Sequence, residues 1–399
     1  MAGSDFNNAF ERIFGKVQEN LKAFTVSDRL AGREAHNALM AQGGKFYQYT
    51  DYGEGTAQTT TQYTDMNIDT FTANEVTLTL DQESSYTFNI DEFDRTKYRG
   101  TDEFLRNRAV NALKLLKREQ DGSWLNNFSS ANTTFDNGDI GGTPGDPIVL
   151  APSNAQKVGT QAVGLLERQM GEATNIFWVV DPVMVAQLAQ SNIADGFRNA
   201  DKTLTNGFVG RTYTGIDIFK SSYLSHEITY TSTGNVSAAD FAIFDGVTFT
   251  FAAVPSAEGE VDVGGDAQTS LANLAAAINQ GAGAGSAYIA FTEGNNRAAL
   301  RTLRDYSASS DVTTLTVDKK GGVIAESISL TNVTAGTQIA HSIIGEFGAI
   351  ELASPMGIKN LDRLEPKQAT TNFLSIQQHG TAVPNVNKDK FLDVQIANS

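Results

Sequence analysis

The stretch from Asn206 to Leu224 constrains the fold most, reading Asn-Gly-Phe-Val-Gly-Arg-Thr-Tyr-Thr-Gly-Ile-Asp-Ile-Phe-Lys-Ser-Ser-Tyr-Leu. Glycines at 207, 210 and 215 permit turns with positive φ, and Ile216, Ile218 and Lys220 then alternate with Asp217 and Phe219. The pattern predicts turn, strand, turn and strand, with one face of the strand buried. Upstream, Ser153 with Gln156 three residues on carries a capping-box signature for a helix with Val158, Ala162, Leu165 and Leu166, stopped by Gly171. Asn175 to Val180 is a continuous apolar run containing Trp178, and Asp181-Pro182 opens a second helix with Val185, Leu188 and Ala189. Helix, buried strand, helix, glycine turn and strand describe an α+β domain.

The segment before this domain is built differently. From Asp5 to Phe24, Phe6, Phe10, Ile13, Phe14, Val17, Leu21 and Phe24 recur at helical spacing, which predicts an amphipathic helix whose aromatic face must be covered by its own domain or by a neighbouring subunit. Residues 45–90 lose that period. Phe46, Tyr47, Tyr49, Tyr52 and Tyr63 punctuate a polar Thr- and Gln-rich stretch, and Val76, Leu78 and Leu80 then alternate with threonines, as in a hairpin that cannot build a core alone. Thr101 starts a long helix with Asp102 and Glu103 in its first turn, Lys114, Lys117 and Arg118 near its end, and Gly122 placed to stop it. Its apolar stripe is Leu105, Ala109, Ala112, Leu113 and Leu116, on a rod of roughly 30 Å. Gly141-Gly142-Thr143-Pro144-Gly145-Asp146-Pro147 marks a break between this region and the α+β domain.

From about 226 to 340 the composition shifts to Ala, Gly, Ser, Thr and Val. Asp245-Gly246 between apolar runs signals a tight hairpin, and Leu271, Leu274, Ala275 and Ile278 share one helix face ended by Gly281. Strand-like runs at 287–292, 312–317 and 323–330 complete an inserted, mostly β domain. Phe347, Ile350, Glu351 and Leu352 then lead to final strands near 373–377 and 391–396. At 399 residues the chain exceeds one ordinary core, so two or three compact regions are expected, and 36 glycines against 8 prolines fit many turns.

No constellation for chemistry emerges. His36, His226, His341 and His379 stand far apart and read as isolated polar residues, and the absence of cysteine removes disulfides and thiolate sites. Glycine-rich segments lack phosphate-loop and dinucleotide patterns, and no nucleophile elbow occurs. Asp91, Glu92 and Asp94 read as ion-pairing residues, and Arg297, Arg301 and Arg304 as a helix surface. These readings predict no enzyme, cofactor or metal. No apolar run of membrane length and no secretory pattern is present, so neither export nor membrane insertion is expected. A net charge of -16 argues against tight nucleic-acid binding as the main task.

Two stretches carry a family resemblance. Phe208-Val-Gly-Arg-Thr-Tyr-Thr-Gly-Ile-Asp-Ile-Phe-Lys-Ser and Glu346-Phe-Gly-Ala-Ile-Glu-Leu-Ala, together with the order of the predicted elements, resemble the major capsid proteins of tailed bacteriophages with the Hong Kong 97 fold. The resemblance implies an α+β fold with an N-terminal arm (1–44), an extended β-hairpin loop (45–90), a spine helix and peripheral domain (91–150), an axial domain (151–225), the inserted mostly-β domain (226–340) and a return into the axial and peripheral domains (341–399). It implies a virion protein, assembled in the host cytoplasm, that forms pentamers and hexamers of an icosahedral head around double-stranded DNA without sequence-specific binding. Its expected partners are a portal and, because little room precedes Thr101 for a fused segment, a separate scaffolding protein. Expected inter-subunit residues are Phe6, Phe10, Phe14, Lys45, Tyr47, Tyr49, Tyr52 and Tyr63. Lys45 is the only lysine of the loop region, and no crosslink partner can be chosen for it. The alternatives are an encapsulin-like compartment shell, another virion part such as a tail or fibre protein, and, with least support, a hydrolase carrying a β domain.

Overall fold

The computed structural model describes residues 25–51, 73–91, 101–171, 173–190, 208–211, 215–355, 358–365 and 370–398. The helix expected over Asp5 to Phe24, with Phe6, Phe10 and Phe14, and the loop residues Tyr52 and Tyr63 lie outside the described residues. In chain order the elements begin with α1 (Ser27–Leu30), α2 (Glu34–Gln42), β1 (Phe46–Asp51), β2 (Asn74–Thr79), β3 (Gln82–Asp91), α3 (Thr101–Leu125) and β4 (Thr134–Phe135). There follow α4 (Ala155–Met170), β5 (Ile176–Val180), α5 (Pro182–Gln190), β6 (Phe208–Arg211), β7 (Asp217–Lys220) and β8 (Ser225–Ser232). Next come β9 (Phe241–Phe244), β10 (Val247–Ala252), β11 (Glu260–Asp262), α6 (Ala267–Ile278), α7 (Glu293–Leu303), β12 (Tyr306–Ser310), β13 (Thr314–Lys319), β14 (Glu326–Ser329) and β15 (Val333–Ala335). The chain closes with β16 (Ile339–Glu346), β17 (Glu351–Ala353), β18 (Ile358–Glu365), β19 (Thr370–Ala382) and β20 (Phe391–Ala397).

The apolar run around Trp178 sits where such a run must, at the centre. All five residues of β5 are buried, between antiparallel β16 and parallel β7, in a ten-stranded sheet whose main path is β12-β13-β8-β16-β5-β7-β6. Trp178 donates its indole N–H to the Ser342 hydroxyl at 2.8 Å, so the largest core side chain leaves no polar atom unpaired. Val158, Ala162 and Leu166 of α4 pack into the same core. The one-face alternation expected through 216–220 fails at Phe219, which is buried together with Ile218. β7 is an interior strand, and the Phe219 ring meets Phe347 edge-on at 6.2 Å.

Two expected helix boundaries are also corrected. α4 begins at Ala155, and the residue before it, Asn154, makes no cap bond into the helix; its side-chain oxygen instead accepts the Ala151 N–H at 2.8 Å, so Ser153 is not the cap. α3 runs 25 residues, straight through Gly122 to Leu125. Gly122 is buried there, and a Cβ on it would lie 3.6 Å from the Gly321 Cα, so its small size serves close approach of another segment rather than a helix stop.

A second core lies within residues 228–333, from Ile228 and Tyr230 through Phe244, Phe249, Leu271, Leu274 and Leu315. The Asp245-Gly246 turn takes φ of 47° and 82°, the left-handed pair that a two-residue hairpin demands. The run 287–292 is not a strand; it is held by single bridges through Tyr288, whose hydroxyl donates to the Gly281 carbonyl at 2.7 Å. α6 ends at Ile278, before Gly281, and Gln280 takes the left-handed turn at φ 47°. This core is not attached by loops alone, because β8 pairs with β13 on one side and β16 on the other.

A third, smaller assembly supports the hairpin. β19 runs 13 residues between β18 and β3, α3 lies against β19 and β3, and β17 pairs with the far end of β19. Ala35, Leu39, Leu78, Leu80, Ala353 and Ala382 form its buried cluster.

Candidate assembly site

The described hairpin is a short antiparallel ladder from Phe46↔Thr79 to Asp51↔Asn74. Strand alternation sends Tyr47 and Tyr49 to one face, where both are half-buried and their rings meet edge-on at 4.9 Å. They pack on the chain's own small cluster beside α2, and the Tyr47 hydroxyl donates to Glu34 at 3.0 Å. Burial and then the Glu351 carboxylate push the Tyr49 hydroxyl above its usual range, which keeps it neutral. Lys45 is exposed, with its carbonyl accepting the Leu80 N–H at 2.8 Å at the base of the hairpin. The structure thus brings Lys45, Tyr47 and Tyr49 together. It turns a different pair outward: Phe46 is 63% exposed and Met40 of α2 is 59% exposed. Met40 is not singled out by sequence, because an apolar residue in a short helix reads as core; the outward side emerges only once Leu39 is seen buried.

Behind the hairpin, residues 25–34 are strapped beneath α3 by a polar network. Asp121 is buried and accepts the N–H groups of Ser27 at 3.0 Å and Val26 at 3.3 Å, together with the Ser27 hydroxyl. Burial nevertheless pushes its carboxyl up to about 6. Asp28 faces Lys117 at 2.8 Å and Arg33 at 2.9 Å and accepts from Thr25 and Gln120. Burial opposes its ionisation, but Lys117 and these hydrogen bonds prevail and hold the carboxyl well below the usual range. Gln377 of β19 donates to Gln120, and the His379 ring meets the Ser123 hydroxyl at 3.0 Å, so the same network ties α3 to β19. Gly32 completes the strap: its N–H donates to Ile350, and a Cβ there would lie 2.0 Å from the Glu351 carboxylate, which itself accepts the Glu34 N–H at 3.1 Å.

The other flank of α3 meets the second core. Arg118 lies over the Tyr223 ring, 4.8 Å from its centre, and Arg304 pairs with Glu119 at 3.1 Å. Arg118, Tyr223 and Glu119, together with Leu115, Asp305 and Lys320, border a cleft of about 190 Å³. Arg304, Arg297 and Arg301 are all exposed, as a helix surface predicts, and of the three it is Arg304 that forms the ion pair across the junction, with Glu119.

No group of three His, Cys, Asp or Glu side chains among the described residues could hold a metal ion, and no helix among them is long and apolar enough to cross a membrane. The expectation of four isolated histidines is corrected at His341, which is buried and bonded through Nδ1 to both Asp393 oxygens at 3.0 and 3.1 Å. This pairing has the form of a base and its orienting acid, yet its Nε2 has no hydrogen-bond partner, the nearest acidic oxygen being that of Glu227 at 3.6 Å. Among the described residues, no nucleophile is hydrogen-bonded to this Nε2.

No protein-family model matches the chain, and no curated protein matches it. Solved structures do. The chain is similar to one from Mycobacterium phage Che8, at 13% identity and a TM-score of 0.48, covering 92% of this chain and 90% of that one. It is similar to the capsid of Ralstonia phage GP4, at 9% identity and a TM-score of 0.46, covering 94% and 92%. It is also similar to the mature capsid of bacteriophage PhiM1, at 11% identity and a TM-score of 0.43, covering 90% and 84%.

Proposed function

We propose that the chain is the major capsid protein of a tailed bacteriophage with the Hong Kong 97 fold, and that it works by self-assembly. One arrangement carries the reading. A two-stranded antiparallel ladder and a 25-residue helix both lie against one long strand, β19, beside an α/β body with its own core. Such a design spends sheet and helix on reach rather than on enclosing a substrate. The polar strap under α3 and the small cluster under the hairpin serve to fix the angle of that reach.

In this reading residues 45–90 form the extended loop, 91–150 the spine helix and peripheral domain, 151–225 with 341–399 the axial and returning segments, and 226–340 an insertion. Copies associate as pentamers and hexamers through Phe6, Phe10, Phe14, Lys45, Tyr47, Tyr49, Tyr52 and Tyr63. Because Tyr47 and Tyr49 also pack within the chain, the outward Phe46 and Met40 join that surface. The closed shell surrounds double-stranded DNA in the virion, and the net charge of -16 keeps the wall from adhering to it. A portal and a separate scaffolding protein are the partners, and no enzymatic step is assigned to the chain. Negative-stain electron microscopy of the expressed protein, alone and with a scaffold, tests the reading: uniform closed particles are expected. Sedimentation as a small oligomer under every assembly condition overturns it.

A further inference from the structure

The seam between the two large cores is short. β8 meets β16 in three residue pairs, Ile339↔Glu227, Ala340↔His226 and His341↔Ser225, before β5 takes over as the neighbour of β16. A row of ionisable side chains crosses this seam on four adjacent strands: Asp393 on β20, His341 on β16, Glu227 on β8 and Asp318 on β13, the last two in register. His341 is 1% exposed, bonded to Asp393 on one side and 3.6 Å from Glu227 on the other, with Phe128 stacked on its ring at 3.7 Å. The neighbouring titratable groups are His226 on β8 and Lys319 on β13, whose ammonium is paired with Asp245. Arg304, Glu119, Asp305 and Lys320 occupy another margin of the junction.

We propose that the His341 imidazolium, held between Asp393 and Glu227, pins the second core to the body across this seam, and that loss of its proton releases that core to move. Two carboxylates facing one buried ring are tolerable only while the ring is charged. Once it is neutral, Asp393 retains a buried charge without a cation, and Glu227 and Asp318 repel each other across paired strands. Burial alone would lower the affinity of His341 for its proton, but the hydrogen bonds to Asp393 and the charges of Asp393 and Glu227 reverse this and raise it to about 9. The stabilisation is therefore complete below the ordinary histidine value of 6.5 and disappears as pH rises through about 9. Other ties across the junction include the Gly122 and Gly321 approach, the Gly322 N–H to the Leu224 carbonyl at 2.9 Å, the Gln338 side-chain N–H to the Ile324 carbonyl at 3.0 Å, the Ser225 hydroxyl to the Asn126 side-chain oxygen at 3.0 Å, and the exposed Arg304 and Glu119 pair, none of which carries a buried charge.

The test is amide hydrogen exchange on the unassembled full-length chain between pH 7 and 10, corrected for the intrinsic pH dependence of exchange, so its outcome is separate from whether shells form. Protection of residues 225–231 and 314–319 is expected to fall at least about tenfold relative to residues 176–180 across this range. His341→Gln should show that loss already at pH 7. Asp393→Asn should move its onset down by about one pH unit or more. If His341→Gln fails to fold, Asp393→Asn and Glu227→Gln carry the test. Protection of 225–231 that tracks residues 176–180 at every pH, or an unshifted onset in Asp393→Asn, overturns the proposal.

Discussion

Gly380 in β19 lies against Thr79 at the end of β2, so closely that a Cβ at position 380 would sit 2.1 Å from the Thr79 carbonyl oxygen and 3.2 Å from Leu78. This approach seats the base of the hairpin, alongside the Leu80 N–H to Lys45 bond and a Gln378 side-chain bond to the Leu80 carbonyl at 3.2 Å. Gly380→Ala must push β2 off β19. The expected cost is about 1–3 kcal/mol from overpacking, read as a lower urea midpoint, with shell formation lost at conditions where the variant is still folded. An alanine variant that assembles normally would mean that the hairpin angle does not matter.

The reach of the hairpin is tested separately from its base. Replacing residues 52–73 with Asn-Gly joins Asp51 to Asn74, the last pair of the ladder, while keeping Leu78 and Leu80 in their cluster. Thermal unfolding should stay within a few degrees of the parent, whereas electron microscopy should show no particles. Removing all of 46–80 would be a poorer experiment, because it also empties the core beneath α2.

Local periodicity makes the centre legible. Trp178, the Asp181-Pro182 helix start and the Asp245-Gly246 turn can each be read from neighbours in sequence, and each stands where expected. The features that sequence misreads depend on distant partners. Gly122 reads as a stop until Gly321 is found against it, and Phe219 reads as outward until strands pair on both its sides. β18 escapes sequence reading because Ile358, Leu361 and Leu364 repeat every third residue, a spacing that does not announce a strand. The Asp393 partner of His341 lies 52 residues away, so no local pattern could announce it.

Acid should weaken the fold through two histidines. Burial pushes both His226 and His379 down to about 4, with His341 and Lys319 adding to the effect at His226 and Lys320 and Lys117 at His379. A base whose folded value is depressed stabilises the fold above its ordinary value of 6.5, and that contribution is lost as pH falls toward 4. Asp28, held low, protects until still lower pH, while the raised carboxyls of Asp121 and Asp318 pull the other way between about 4 and 6. Urea unfolding at pH 7 and pH 4.5 reads the histidine loss, on the order of 3 kcal/mol each, against the opposing gain from the raised carboxyls, which Asp181, Asp305, Glu326, Glu351 and Asp393 share. His379→Gln should flatten the dependence; an unchanged slope in this variant would remove His379 from the account.

One amide guards a sheet edge. β12 ends the ten-stranded sheet, and its outer backbone groups at Ala308 would be open to another chain. Asn279, just past α6, occupies that place instead: its side-chain N–H donates to the Ala308 carbonyl at 2.7 Å, and its side-chain oxygen accepts the Ala308 N–H at 2.8 Å. The side chain thus imitates a neighbouring strand and leaves no room for a real one. Asn279→Ala removes both bonds at a position where water can replace them, so the stability cost should be modest, about 1 kcal/mol. The larger consequence is association through the uncovered edge. Light scattering should rise with protein concentration in Asn279→Ala but not in the parent, and Ala308→Pro, which removes the edge N–H, should suppress the rise. Scattering that is the same in parent and variant would show that Asn279 is a local cap and not an edge guard.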